Sequence, residues 1–287
     1  MTLAEAINSA AIQLSGAGIT NARRDAEALL SHLIKKNRAW LITHGDDALD
    51  DEWRGLFKDT IQRRAKREPL QYIIGSQEFW GLEFMVTPEV LIPRPETELI
   101  IEATLAIIHD RNRPARIIDL CTGSGCIAVS LAKELPVARI LAIDKSAKAL
   151  AVAKENAAQH GVSDRIRFLE GDLFHPLEEL DWYGLVDIIA SNPPYVQSGD
   201  LDTLQPEVRD YEPEMALIAG PEGTELAAII INTAPAYLKK TGALIMEMGL
   251  GQAEALRKMA GKTGAYTTPE IMKDLAGIER VIVARKR

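Results

Sequence analysis

Ile117-Ile118-Asp119-Leu120-Cys121-Thr122-Gly123-Ser124-Gly125-Cys126-Ile127-Ala128 reads as a strand, a tight turn and the start of a helix. Gly123 and Gly125 permit positive φ and let a ligand approach the backbone closely. The helix start that follows offers unpaired N–H groups to a carboxylate or phosphate. A strand-turn-helix of this kind is the nucleotide-binding corner of an open α/β sheet, and the flanking sequence repeats the same alternation. Strands are expected at Arg116–Leu120, Arg139–Ile143, Ile166–Leu169, Val186–Ala190, Ala243–Met248 and Arg280–Ala284. Helices are expected at Glu96–His109, Gly125–Leu135, Ala147–His160, Gly223–Lys239 and Gln252–Ala260. Regular alternation of this kind means a parallel, doubly wound sheet.

Acidic residues close the next two strands. Asp144 ends the second, about 20 residues after the glycine turn, where a carboxylate can accept both hydroxyls of a ribose. Gly171-Asp172-Leu173 ends the third, and Asp172 is placed to accept an adenine amino group. Gly123-x-Gly125-x-x-Ala128 also satisfies the dinucleotide fingerprint, but that match is weak. The chain shows no acid/base pair for hydride transfer, and Asp119 suits a ligand that carries an ammonium near the loop.

Ser191-Asn192-Pro193-Pro194-Tyr195 follows the apolar run Val186–Ala190. Neither proline has an N–H and both hold φ near −65°, so the turn is stiff and offers carbonyl oxygens. Asn192 adds an amide oxygen and two donors. Tyr195 adds a flat face and a hydroxyl. Such a turn at a strand end can hold an –NH2 group by its two hydrogens, which points to chemistry on a planar amide or an exocyclic amine. The plainer reading is a strand-ending turn, since Asn-Pro is common in turns. With this turn added, S-adenosyl-L-methionine is favoured over NAD. The candidate cofactor residues are Asp119, Cys121, Thr122, Gly123, Ser124, Gly125, Asp144, Asp172, Leu173 and Asn192. The candidate catalytic and substrate-binding residues are Asn192, Pro193, Pro194 and Tyr195.

The first 70 residues read as helices. Thr2 and Glu5 form a capping box before Leu3–Leu14. Asn21 can cap a second helix with Ala26, Leu29, Leu30, Leu33 and Ile34 on one face. Arg38–His44 is short, with Trp40 and Leu41 inward. A last helix runs Asp50–Arg67, with Trp53, Leu56, Phe57 and Ile61 at helical spacing, and Pro69 ends it. Its basic run, Arg63, Arg64, Lys66 and Arg67, reads as a solvated face favoured by the helix dipole. Residues 71–93 are expected to form a β-hairpin linker, and 94–287 the catalytic domain.

The net charge is −8, and residues beyond 80 carry all of it, which argues against broad phosphate-backbone binding. Hydrophobic content of 47% and charged content of 26% are ordinary for a soluble globular protein. No apolar run approaches the roughly 18 residues of a membrane span. Met1–Glu5 shows no signal sequence, so a cytoplasmic location is expected. Cys121 and Cys126 cannot build a zinc site by themselves. His32, His44, His109, His160 and His175 follow no ligand spacing, so no metal and no catalytic histidine are expected.

Three segments together resemble the HemK/PrmC protein-glutamine N5-methyltransferases. They are Ile92-Pro93-Arg94-Pro95-Glu96-Thr97-Glu98, Thr122–Ala128 and Ser191–Tyr195. Arg23-Arg24-Asp25-Ala26-Glu27, Glu212-Pro213, Ala216-Leu217 and Asp274–Arg280 extend the resemblance along nearly the whole chain. It implies a doubly wound, seven-stranded, Rossmann-like sheet of the class I S-adenosylmethionine-dependent methyltransferases, with a small N-terminal helical bundle (1–70) that helps grip a large protein substrate. It also implies methylation of the glutamine in the Gly-Gly-Gln motif of peptide chain release factors, by a monomer that contacts neither nucleic acid nor membrane. Arg94 and Glu96 face the cleft by resemblance; otherwise a salt bridge and a helix start explain them. Cys121 stands where many members have glycine, and the related methylases of a large-subunit ribosomal protein often have cysteine there. The N-terminal bundle and the Glu279-Arg280 ending favour the release-factor branch. Two further alternatives are an amino-methyltransferase of DNA or RNA, which would hold a flipped base amine, and a non-catalytic cofactor-binding module.

Overall fold

Apolar residues at helical spacing, bounded by chemical stops, make the first part of the chain helical. The computed structural model describes residues 1–287. Residues 1–76 with 205–211 form one unit, and 77–204 with 212–287 a second. α1 (Leu3–Gly16) opens on the expected box: the Thr2 hydroxyl accepts from Glu5 N at 3.2 Å and Glu5 Oε2 accepts from Thr2 N at 2.8 Å. α2 (Ala22–Ile34) buries Ala26, Leu29 and Leu30, but the Asn21 side chain does not cap it. α3 (Arg38–Thr43) is capped by Asn37 and buries Leu41, while Trp40 stacks half-buried on His44. α4 (Asp51–Ala65) buries Phe57 and Ile61, but Leu56 points outward, 44% exposed.

Two expectations fail here. The first is the solvated basic face, which holds for Arg63 and Lys66 but not for Arg64 and Arg67. Arg64 is buried, donating to Asp25 at 2.8 Å and to Glu207 at 3.1 Å, and Arg67 donates to Glu207 at 2.6 Å. Glu207 sits on the short helix Pro206–Arg209, which the chain contributes back to this unit. Buried guanidinium groups need such partners, so these two arginines hold the unit together internally. The second failure is the start of the hairpin. Leu70–Ile74 is a helical turn, α5, preceded by Pro69 and ended by Gly75 at φ 85°. A short apolar run does not by itself tell a strand from a helix.

The hairpin that follows is shorter, β1 (Ser76–Phe79) and β2 (Leu82–Met85). Trp80 (φ 54°) and Gly81 (φ 67°) make its two-residue turn left-handed, as hairpin twist requires. A 3-10 turn, Pro95–Thr97, then leads into α6 (Glu98–Ile107). There follow β3 (Arg116–Leu120), α7 (Cys126–Glu134), β4 (Arg139–Asp144), α8 (Ala147–Gln159), β5 (Ile166–Glu170) and β6 (Val186–Ser191). A two-stranded parallel pair, β7 (Val196–Gln197) and β8 (Ile218–Gly220), precedes α9 (Glu225–Tyr237), β9 (Leu238–Glu247), α10 (Ala253–Thr263), β10 (Glu270–Lys273) and β11 (Glu279–Arg285).

The main sheet has seven strands in the order β10-β11-β9-β6-β3-β4-β5. β9, β6, β3, β4 and β5 pair in parallel. β11 runs antiparallel to both neighbours, so the sheet is mixed rather than wholly parallel. The reason is local. Asp274 Oδ1 accepts from the N–H groups of Ala276 and Ile278, and Gly277 takes φ 80°, which turns the chain straight back. A connection this short cannot make a parallel crossover.

Successive residues of each strand face opposite layers. Ile117, Ile140, Ile188 and Ile245 pack with Ile101 and Val129 on one face. Ile118, Leu141, Ile189 and Leu244 pack with Ile230 and Leu256 on the other. The chain leaves β3 for β4 on one side and returns with β6 on the other. This reversal opens a crevice at the C-terminal ends of β3 and β6, where an open α/β sheet binds its ligand. No helix is long and apolar enough to cross a membrane.

Candidate active site

The glycine turn grows directly from β3. Cys121 (φ 59°), Gly123 (φ 54°) and Gly125 (φ 79°) are all left-handed, and Gly125 N donates to Thr122 O at 2.8 Å to close the turn. The two glycines do different work. A Cβ on Gly123 would meet nothing within 4 Å, whereas one on Gly125 would lie 3.0 Å from the Ala153 Cβ of α8. Asn156, fully buried on α8, donates to Ser124 O at 2.9 Å and to Met85 O at 3.0 Å, and accepts from Met85 N at 2.8 Å. One side chain thus ties the turn to the hairpin.

Asp119 is wholly buried. It accepts from the Thr122 hydroxyl at 2.5 Å, and its other oxygen, Oδ1, has no partner. Burial pushes its carboxyl up to about 7, with the Thr122 hydrogen bond opposing the rise. Asp144 accepts Gly123 N at 2.8 Å and Ser146 N at 2.9 Å, one on each oxygen, and burial raises its carboxyl too. Asp172 is exposed and lies 3.1 Å from Lys145, and Leu173 beside it takes φ 47°.

A cavity of about 680 Å³ occupies the crevice. Its wall includes Cys121, Thr122, Gly123, Ser124, Asp144, Asp172 and Leu173 from the first three strand ends, and Asn192 and Pro194 from the fourth. Arg94 also lines it. Asp119, Gly125, Pro193 and Tyr195 stand back from the wall. Arg94 is paired with Glu212 at 2.6 Å, and Glu212 Oε2 also accepts from Ile92 N at 3.3 Å. The salt-bridge alternative for Arg94 is therefore present in the structure, with a partner the spacing did not suggest.

Four hydrogen bonds around the turn after β6 were not foreseen. Asn192 Nδ2 donates to the Thr97 hydroxyl at 3.1 Å, and that hydroxyl donates to Glu247 Oε2 at 2.5 Å. The Tyr195 hydroxyl reaches Glu247 Oε1 at 3.4 Å. Gln252 Nε2 donates to Tyr195 O at 3.1 Å and so fixes the turn's exit. Thr97 and Glu247 are each 2% exposed. Burial pushes the Glu247 carboxyl up to about 7, against its hydrogen bonds from Thr97 and Tyr195. One signal for Glu247 existed, a lone carboxylate inside the apolar run Ala243–Met248.

The family described as "PrmC N-terminal domain" matches residues 5–75, and that described as "Methyltransferase domain" matches 112–275. A protein of Geobacter sulfurreducens named release factor glutamine methyltransferase is 44% identical over 274 residues, covering 95% of this chain and 92% of that one. Its namesake from Nitratidesulfovibrio vulgaris is 41% identical over 289 residues, covering 99% and 95%. The chain belongs to the release factor glutamine methyltransferase family. Among solved structures, the catalytic domain of hMettl16 in complex with the MAT2A 3′UTR hairpin 6 superposes with a TM-score of 0.58 at 19% identity, covering 79% of this chain and 81% of that one. That likeness shows the fold of the family's catalytic domain.

The family's methyl donor is S-adenosyl-L-methionine, and the residues present fit it. The cavity is of cofactor size, the turn before α7 brings backbone close to it, and the carboxylates of Asp144 and Asp172 line it as hydroxyl and amino acceptors. Cys121 is explained in the same terms. Its left-handed backbone costs an L-residue about 1–2 kcal/mol, which glycine avoids. Burial raises its thiol well above the ordinary range, which keeps the thiol protonated where it lines the cavity. Cys121→Gly is expected to bind S-adenosylhomocysteine within about threefold of the parent. Cys121→Val, β-branched at this φ, should lose about tenfold or more. Titration calorimetry on both variants checks this, and equal affinity for Val and Gly would refute it.

Proposed function

We propose that this chain transfers the methyl group of S-adenosyl-L-methionine to the side-chain amide nitrogen (N5) of the glutamine in the Gly-Gly-Gln motif of peptide chain release factors. The observation that carries the reading is the place of Asn192. It follows β6, lines the same cavity as the glycine turn, and already turns its amide nitrogen toward Thr97, to which it donates one hydrogen. Its Oδ1 is thereby left to accept.

A glutamine nitrogen is a poor nucleophile because its lone pair is delocalised into the carbonyl. The bound cofactor supplies a sulfonium-activated methyl group. Asn192 Oδ1 and the Pro193 carbonyl each accept one hydrogen of the substrate –NH2 and turn its nitrogen toward that methyl for in-line displacement. Both dipoles also stabilise the positive charge that develops on nitrogen. They are preorganised, since the two prolines stiffen the backbone and Thr97 holds the amide. No base need remove the proton first; it leaves once nitrogen carries the methyl. Tyr195 supports the turn through Glu247 and Gln252 rather than walling the cavity.

Mass spectrometry of a release factor after incubation with the protein and methyl donor tests the reading. A large-subunit ribosomal protein is treated in parallel. The expected result is one added methyl group on the Gly-Gly-Gln glutamine. Methylation of the ribosomal protein alone would overturn it.

A further inference from the structure

We propose that Glu247 and Thr97 form a polarity relay that decides which end of the Asn192 amide faces the substrate, and that Glu247 must be ionised for it to work. The inference rests on the proposed role of Asn192, and it concerns two residues that act through Asn192: Glu247 stands behind the cavity wall, and Thr97 lines that wall beside Asn192. They are positioning residues.

The argument is a count of donors and acceptors. An ionised carboxylate can only accept. Thr97 has a single hydroxyl proton, and the 2.5 Å separation from Glu247 Oε2 is that of a charge-assisted O–H···O bond. The proton is therefore committed to Glu247, and the Thr97 oxygen can only accept in turn. Asn192 must then present Nδ2 to it, which is the bond found at 3.1 Å. This sends Oδ1 the other way, where a substrate –NH2 needs an acceptor. A flipped amide would set Oδ1 against the lone pairs of Thr97 and offer the substrate two hydrogens facing its own.

Protonation of Glu247 removes the constraint. A neutral carboxyl can donate to the Thr97 oxygen, which frees the Thr97 proton to face Oδ1 of a flipped Asn192. Both amide orientations are then satisfied, and only one of them is productive. Glu247 is surrounded by Tyr195 from the turn after β6, Glu96 from the turn before α6, Arg280 from β11 and Cys126 from the start of α7. Glu96 raises its carboxyl while Arg280 lowers it, and burial outweighs both. The change of state falls near neutral pH, about 7. The sign follows: the productive orientation is enforced above that pH and lost as pH falls through it.

The experiment combines rates with a signal that needs no substrate. In the parent protein, kcat for release-factor methylation should rise about twofold or more from pH 5.5 to 8 along a titration near 7, since two equally satisfied amide orientations halve the productive fraction. The Asn192 side-chain NH2 resonances, assigned by comparison with an Asn192 variant, should titrate with the same midpoint in the absence of release factor. Glu247→Gln and Thr97→Val should each lower kcat by about twofold or more at pH 8 and flatten the pH profile, and Glu247→Gln should leave affinity for S-adenosylhomocysteine within about twofold. Thr97→Ser restores the hydroxyl and should restore both rate and profile. A parent-like kcat and pH profile in Glu247→Gln, or failure of Thr97→Ser to recover them, would overturn the relay. So would Asn192 resonances that do not titrate. The resonances read the relay even if release factor proves not to be the substrate, so the two readings can fail separately.

Discussion

Asn192→Ala is expected to lower kcat for release-factor methylation by on the order of 10²- to 10³-fold, while cofactor affinity and melting temperature stay close to the parent's. The substitution removes the side-chain dipole aimed at the reacting nitrogen and leaves only the Pro193 carbonyl. A flexible chain could not supply that dipole; the value of Asn192 lies in being held before the substrate arrives. Stability should be spared because Asn192 lies beyond the buried strand Val186–Ser191, whose packing is untouched. Asn192→Asp should be no milder. It sets a carboxylate oxygen against a Thr97 oxygen that has no proton to give, and it adds a charge near Glu247. Single-turnover methylation with calorimetric cofactor titration separates the effects. A full rate in Asn192→Ala would remove this turn from the chemistry.

The second large effect is on the cofactor side. Gly125→Ala should weaken S-adenosylhomocysteine binding by about tenfold more than Gly123→Ala does. Both glycines are left-handed, so both variants pay the strain of an L-residue at positive φ, about 1–2 kcal/mol. Only Gly125 adds a collision. Its new Cβ would lie 3.0 Å from Ala153 Cβ and 3.3 Å from Ala153 Cα, within the body of α8. Neither atom can swing aside, so the turn itself must move and loosen the bond from Gly125 N to Thr122 O. At Gly123 the added methyl meets nothing within 4 Å. Calorimetric dissociation constants for the two variants decide the matter, and an equal or reversed order would refute the packing argument.

What could be read in the sequence was local. Arg116–Leu120 is a strand to the residue, and the strands ending at Asp144, Glu170 and Ser191 exceed their expected ends by a single residue. The reason is that buried parallel strands are unbroken apolar runs closed by polar turns, and nothing competes with that pattern. Glu270–Lys273 escaped notice because two apolar residues between charges make no period. The orientation of β11 was available in principle from the short Asp274–Gly277 turn. Asp25, Arg64 and Glu207 each look like surface residues, and only the fold brings them together. The same holds for the site. The glycine turn, Asp144 and Asn192 announce themselves by spacing, whereas Thr97 and Glu247 acquire meaning only when the turn before α6 meets the end of β9.

That last contact has a consequence for the order in which the protein becomes competent. The bond between Thr97 and Glu247 joins points 150 residues apart in the chain. The glycine turn, Asp144 and Asp172 belong to three consecutive strands and can assemble early, as near neighbours along the chain. The amide of Asn192 gains its orientation only after β9 has been inserted beside β6. An incompletely folded chain could thus shape a place for the methyl donor but could not aim the acceptor.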